Sequence, residues 1–223
     1  MTKNLRIISR SSEPFKNRVE AGKLLAKELR QKANSGTVVL GVPRGGVVVA
    51  GEIAGILSLE MDIVLSRKIG APFNPEYAIG AVSEDGKAFI NPEALREVNS
   101  EDEYVKKEKE LQTTEIKRRS ELYRRIKPKV IIKDRTVIIC DDGVATGTTM
   151  QAAIWALRQE SCGKIILALP VAPYETIIRL SKEADETIVL RVPEFFAAVG
   201  QFYLDFPQIE DSEVIEILKR YGK

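Results

Sequence analysis

Residues 137–150 read VIICDDGVATGTTM, and the fold turns on how this stretch divides. Val137, Ile138, Ile139 and Cys140 have the length and β-branched content of a strand buried on both faces, as strands of parallel sheets are. The strand stops at two adjacent carboxylates, Asp141 and Asp142. Gly143, Thr146, Gly147, Thr148 and Thr149 then supply backbone freedom, N–H groups and hydroxyls, just before spacing that predicts an amphipathic helix over 150–159. N–H groups at a helix start lack intrahelical partners and the helix dipole favours negative charge there, so the loop suits a phosphate. The two aspartates repel such a ligand unless they accept hydrogen bonds from its hydroxyls or hold the water shell of a divalent cation bound to it. A sugar phosphate with a free diol meets both conditions. The plainer alternative, a turn whose acids cap the next helix, does not account for strand, carboxylate pair and Gly/Thr loop occurring together.

Four apolar residues, two acids and a short loop of Thr, Gly and Ala make residues 137–149 resemble the phosphoribosyl-pyrophosphate (PRPP) signature of the type I phosphoribosyltransferases. The resemblance extends along the chain through GVPRGG, GAPFNPE, DDGVATG and FAAVGQFY, and is closest to uncharacterised members. It implies an α/β fold, a parallel sheet flanked by helices on both faces, with a small flap and a C-terminal hood. It also implies that Asp141 and Asp142 are the catalytic pair, holding the ribose diol and, through water, Mg²⁺, while Ala145, Thr146, Gly147, Thr148 and Thr149 take the 5-phosphate. Two departures stand out. Gly143 replaces an apolar residue, and Ala145 replaces the aspartate with which hypoxanthine-guanine enzymes handle the base's ring proton.

Composition narrows the field from the other side. The chain of 223 residues is long enough for one substantial core, and we read 1–223 as one domain, with the core over about 18–192 and the hood over 193–223. Thirty-four Lys and Arg against 32 Asp and Glu leave a net charge of +2, so no long-range field calls for nucleic acid or an anionic membrane. The absence of histidine excludes Ser-His and Cys-His nucleophiles and histidine-ligated metals. Cys140 and Cys162 read as buried thiols rather than a bridge. No apolar run has the length of a signal peptide core or a membrane span, which places the protein in the cytoplasm as an expectation.

The remaining stretches supply partners for the signature. Helical spacing predicts a helix over 18–33 ending near Asn34, and a buried strand over 37–42 leads into Pro43, Arg44, Gly45 and Gly46 and a second helix over 47–57. Two glycines permit close approach to a ligand, and an arginine beside them pairs with phosphate oxygens. A tight turn with a solvent-facing Arg is the other reading. The resemblance makes Arg44, Gly45 and Gly46 the pyrophosphate loop, which in the family often contains a non-proline cis peptide. A strand over 61–65 ends in Ser66, Arg67 and Lys68, and relatives carry an Arg-Lys pair there near pyrophosphate. Alternation on a strand predicts that only one of the two faces a given ligand.

Residues 70–76 read as a proline-fixed loop, and 78–83 with 87–90 as a hairpin around Glu84, Asp85 and Gly86, like the family's flap. Segment 101–129 is charged, acidic first (Glu101, Asp102, Glu103) and basic last. Tyr104, Leu111, Leu122 and Ile126 offer it one weakly buried helical face, with Pro128 as a stop. It occupies the slot of the family's mobile loop, and lid, dimer element and nucleic-acid arm all stay open, the last ranked lowest. Buried strands over 164–170 and 186–192 flank a helix over 174–182. Phe195, Phe196, Phe202, Tyr203 and Phe206 then form an aromatic tail, read as core first and as a base-stacking hood second.

The expected activity is therefore transfer of a phosphoribosyl group from PRPP with Mg²⁺ to a nitrogen nucleophile resembling a nucleobase. The alternatives are a PRPP- or nucleotide-sensing regulator without turnover and a sugar-phosphate hydrolase on the same cradle. Partners implied are PRPP and a small-molecule acceptor, with a homodimer compatible with the pairing of many relatives.

Overall fold

The computed structural model describes residues 4–98 and 102–221. Its centre is a six-stranded sheet in which every neighbouring pair is parallel. The signature strand β7 (Thr136–Cys140) lies between β8 (Lys164–Val171) and β2 (Val38–Gly41), β3 (Glu60–Ile63) forms one edge, and β9 (Glu186–Arg191) joins β8 to β1 (Leu5–Ser9) at the other. β1 was not anticipated. Its LRIIS sequence reads as half-polar, and an edge strand needs only alternate burial.

Alternation in β7 sends Ile138 to one face and Val137 and Ile139 to the other, and all three are fully buried. On the Ile138 face pack α1 (Arg18–Leu29), α2 (Gly45–Leu57) and α7 (Asp211–Arg220), through residues such as Leu25, Ile53 and Leu218. The opposite face receives Ile154 and Leu157 of α5 (Thr148–Gln159) and Ile177 and Leu180 of α6 (Tyr174–Leu180). Asn17 caps α1 by accepting the Glu20 amide hydrogen at 3.1 Å. The helix stops at Leu29, short of the expected Asn34, because a turn closes on the Leu29 carbonyl.

Both glycine-bearing loops start their helices two residues earlier than expected, so Gly45 and Gly46 form the first turn of α2 and Thr148 and Thr149 that of α5. The chain leaves β2 toward β3 on one side and later enters β7 and continues to β8 on the other. Between β2 and β7 the winding direction reverses, which opens a crevice at the carboxyl ends of those two strands.

The flap is a three-stranded antiparallel sheet of β4 (Ser66–Ala71), β5 (Asn74–Ser83) and β6 (Ala88–Ile90). The expected loop over 70–76 contracts to a turn at Pro72 and Phe73, since GAPFNP pairs as hairpin ends, and Arg67 and Lys68 belong to flap strand β4 rather than to the end of β3. A short helix α3 (Pro92–Val98) follows, then α4 (Asp102–Arg124). Glu101, part of the expected acidic start, lies outside the described residues. α4 is helical as predicted, but Leu111 and Leu122 are exposed, and the buried positions are Ile116 and Tyr123. The helix ends at Arg124, whose side chain turns inward to buried acids, well before Pro128. Among the described residues no helix is long and apolar enough to cross a membrane.

Candidate functional site

At the crevice the β2–α2 loop and the β7–α5 loop touch. A Cβ added to Gly45 would stand 1.9 Å from Asp142 Oδ2, and one on Gly46 would stand 2.8 Å from Asp141 Cα. Only glycine allows this approach. The Pro43–Arg44 peptide is cis. As the first residues of α2, Gly45 and Gly46 have amides with no intrahelical acceptor, and these sit beside the two carboxylates.

Asp141 and Asp142 leave β7 in unlike settings. Asp141 Oδ1 accepts the Asp142 amide hydrogen at 2.8 Å, and its carboxyl is pushed well above the ordinary carboxylate range, first by burial and then by repulsion from Asp142. Asp142 is paired: Arg18 Nε donates to its Oδ2 at 2.7 Å. The same guanidinium donates through Nη1 to the Pro207 carbonyl at 2.8 Å and lies 3.8 Å over the Phe206 ring. Tyr203 donates its hydroxyl hydrogen to the Asp142 carbonyl at 2.5 Å, and burial raises its pKa, so the phenol keeps that proton.

The aromatic tail therefore splits between its two readings. Phe202 and Tyr203 are core, Phe206 stacks on Tyr203 and covers Arg18, and Phe195 is 79% exposed. Arg18, 124 positions from its partner, belongs to no motif, and no local signal marks it.

Gly143 has φ of +155°, and a Cβ there would meet Val199 Cγ1 at 2.6 Å. The apolar volume expected at that position is supplied instead by Val199, from the 3₁₀ turn Val199–Phe202 of the tail. The next residues form the anion loop. Thr176 Oγ1 donates to the Ala145 carbonyl at 2.7 Å and Arg179 Nη2 to the Thr146 carbonyl, so both carbonyls face α6. In a trans peptide the N–H opposes the C=O, hence the amides of Thr146 and Gly147 point away from α6, into the loop's open side. Thr146 and Thr148 hydroxyls approach to 3.2 Å across that loop. Thr176 and Arg179 were not singled out from sequence, since a short helix two elements downstream shows no phosphate pattern.

The cations do not all converge. Arg67, Lys68, Pro43 and Thr149 border a cavity of about 480 Å³. The Arg44 side chain instead turns to the far side of its loop, where Nη1 lies 3.2 Å from Glu210 Oε2 and the neighbours are Arg18 and Asp142. Arg67 and Lys68 both border the 480 Å³ cavity, while alternation predicts that only one of them faces a given ligand. β4 is the outer strand of its sheet and the cavity runs along that edge, within reach of long side chains from either face.

Among the described residues no group of three or more acidic, histidine or cysteine side chains could cage a metal. The hard oxygens of Asp141 and Asp142 fit Mg²⁺ only as partial ligands, the others coming from water and substrate, which matches its preference for few carboxylates and several waters. Cys140 and Cys162 are free buried thiols, as read.

A family profile described as phosphoribosyl transferase domain matches residues 15–207. Two curated sequences from Mycobacterium tuberculosis strains CDC 1551 and H37Rv, each named as a provisional phosphoribosyl transferase, are 39% identical over 206 residues, 92% of this chain. The chain spans 46% of the length of each of these relatives. The crystal structure of TT1426 from Thermus thermophilus superposes with a TM-score of 0.90 at 45% identity, over 94% of this chain and 100% of that one.

Proposed function

The chain belongs to the phosphoribosyl transferase domain family, and from that membership we propose that it binds PRPP with Mg²⁺ and transfers the phosphoribosyl group to a nitrogen nucleophile. Pyrophosphate is the other product. The observation that carries this reading is the contact of the Gly45–Gly46 turn with Asp141 and Asp142, beside a loop whose amides face outward.

In the reaction the bond from the anomeric carbon to pyrophosphate breaks as the acceptor nitrogen's lone pair forms the new bond. Positive charge develops on the ribose ring and negative charge on the leaving group. Asp141 and Asp142 accept hydrogen bonds from the diol and stand next to the positive ring. The amides of Gly45 and Gly46, with Arg67 and Lys68, face the leaving group. Mg²⁺, when bound, adds charge neutralisation on the pyrophosphate oxygens. Ala145 to Thr149 grip the 5-phosphate, which does not react, so these contacts orient the sugar. Arg18 answers the repulsion between an acidic pair and a polyanion: by pairing with Asp142 it removes one net negative charge from the site.

Ala145 offers no group to take a proton from the acceptor, which favours an acceptor that attacks through a free lone pair. Calorimetric titration with PRPP and Mg²⁺, followed by pyrophosphate exchange with a panel of bases and amines, tests the proposal. Binding and exchange are expected. Binding without exchange for any acceptor replaces the transferase with a PRPP sensor, and no binding at all removes both.

A further inference from the structure

We infer that α4 is a standing wall of the anion site, present before ligand arrives, and that Arg119 on it binds the pyrophosphate end of the substrate together with Arg67 and Lys68. The inference rests on the PRPP reading above and adds to it a residue and an element.

Tyr104, Glu108, Gln112, Ile116 and Arg119 all border the 480 Å³ cavity. Their spacing of four, four, four and three places them in one stripe down a single helix face. The cavity is also bordered by Pro43, from the loop that touches the acidic pair, by Thr149, next to the phosphate turn, and by Arg67 and Lys68 of flap strand β4. Its volume lies within the range of small-ligand sites.

The charge of the lining favours an anion. Arg67, Lys68 and Arg119 face one carboxylate, Glu108, which accepts a hydrogen bond from Gln112 Nε2 at 2.8 Å. Gln112 in turn accepts from Arg67 Nε, so the helix fixes the direction of the flap arginine. Arg119 borders the cavity and makes no side-chain hydrogen bond or ion pair with the protein among the described residues, which leaves the five donors of its guanidinium for a ligand.

The helix is anchored along its whole length. Tyr104 donates its hydroxyl hydrogen to the Gly70 carbonyl at 3.0 Å near one end. At the other, Arg124 pairs with Asp62 at 2.7 Å and Glu84 at 2.9 Å, both carboxylates nearly inaccessible, and Tyr123 donates to Asp211 at 2.5 Å. Ile116, in the middle, is 1% exposed. A segment so fixed has its register set without ligand, so the wall does not form by ordering a loop.

The experiment compares Arg119→Ala and Arg119→Lys with wild type by calorimetry, using magnesium pyrophosphate and ribose 5-phosphate as separate probes. Arg119 is exposed and unpaired, so both variants are expected to fold, as checked by circular dichroism. Removing one charge-assisted contact should weaken pyrophosphate binding about tenfold or more, with partial recovery in the lysine variant and ribose 5-phosphate affinity within about twofold of wild type. Amide hydrogen exchange over 103–124 should already be slow without ligand. Equal pyrophosphate affinity in wild type and Arg119→Ala, or protection of 103–124 that appears only with ligand, overturns the inference and leaves the PRPP reading standing. A wild-type protein that binds neither probe nor PRPP removes both.

Discussion

Replacing Arg18 with glutamine takes a cation away from a nearly closed environment, since the Arg18 side chain is 8% exposed and its partner Asp142 15%. The charge-assisted bond to Asp142 is worth about 1.5 to 3 kcal/mol at such a site, and the face of Phe206 adds about 1 kcal/mol. The glutamine amide recovers part of this, so the expected loss of stability is about 2 to 4 kcal/mol, near the low end for stranding one member of a buried pair. Urea unfolding reads the loss as a lower midpoint at an unchanged slope. The mechanism is isolated by the double-mutant cycle with Asp142→Asn. Once the carboxylate is neutral, nothing is left uncompensated, so the double variant should be more stable than the summed single effects by about 1.5 to 3 kcal/mol. Additivity within about 0.5 kcal/mol would refute the claim that Arg18 acts by balancing Asp142.

Three further outcomes are expected. Asp142→Asn should keep the fold and lower kcat/KM by about 2 to 4 kcal/mol of transition-state stabilisation, and near-wild-type turnover would remove Asp142 from the catalytic pair. Gly45→Ala pushes a methyl to within 1.9 Å of the Asp142 carboxylate, so PRPP affinity by calorimetry should fall at least about tenfold, and an unchanged affinity would show that the turn and the acid need not touch. Glu186, hydrogen-bonded to Lys164 and Lys32, has its pKa held below the ordinary value. Its contribution to stability is therefore present above the unfolded carboxylate pKa and lost as pH falls through the folded one. The stability gap between wild type and Glu186→Gln should accordingly be under about 1 kcal/mol at neutral pH, shrink with salt, and close in acid.

The centre of the fold was legible because buried parallel strands such as VIIC and VVLG announce themselves by unbroken apolar runs, and because acids and glycines at their ends are locally encoded. The donor loops followed for the same reason. What escaped was everything decided by distant partners. Arg18 meets Asp142 across 124 positions, and its own helix would look the same with that side chain in solvent. Val199 fills the space Gly143 leaves, so a departure in the signature is resolved by a residue in the tail. In α4 the apolar count pointed to Leu111 and Leu122, yet the helix is oriented by the ion pairs of Arg124, and Ile116 and Tyr123 turn inward instead. Arg44 was read correctly as a loop residue, but the direction of its side chain follows from Glu210 in α7's capping turn, which the loop's own sequence does not mention.

The pairing of β1 with β9 sets an order of assembly. Leu5 lies opposite Thr187, so this strand is synthesised long before its strand neighbour. While the chain emerges, β2, β3, β7 and β8 can find one another, but β1 waits with its Leu5 and Ile7 side chains uncovered until residues 186–191 are made. Such a distant contact is entropically slow to close, which makes docking of β1 a late event in folding and its amides candidates for the earliest exchange when the sheet opens.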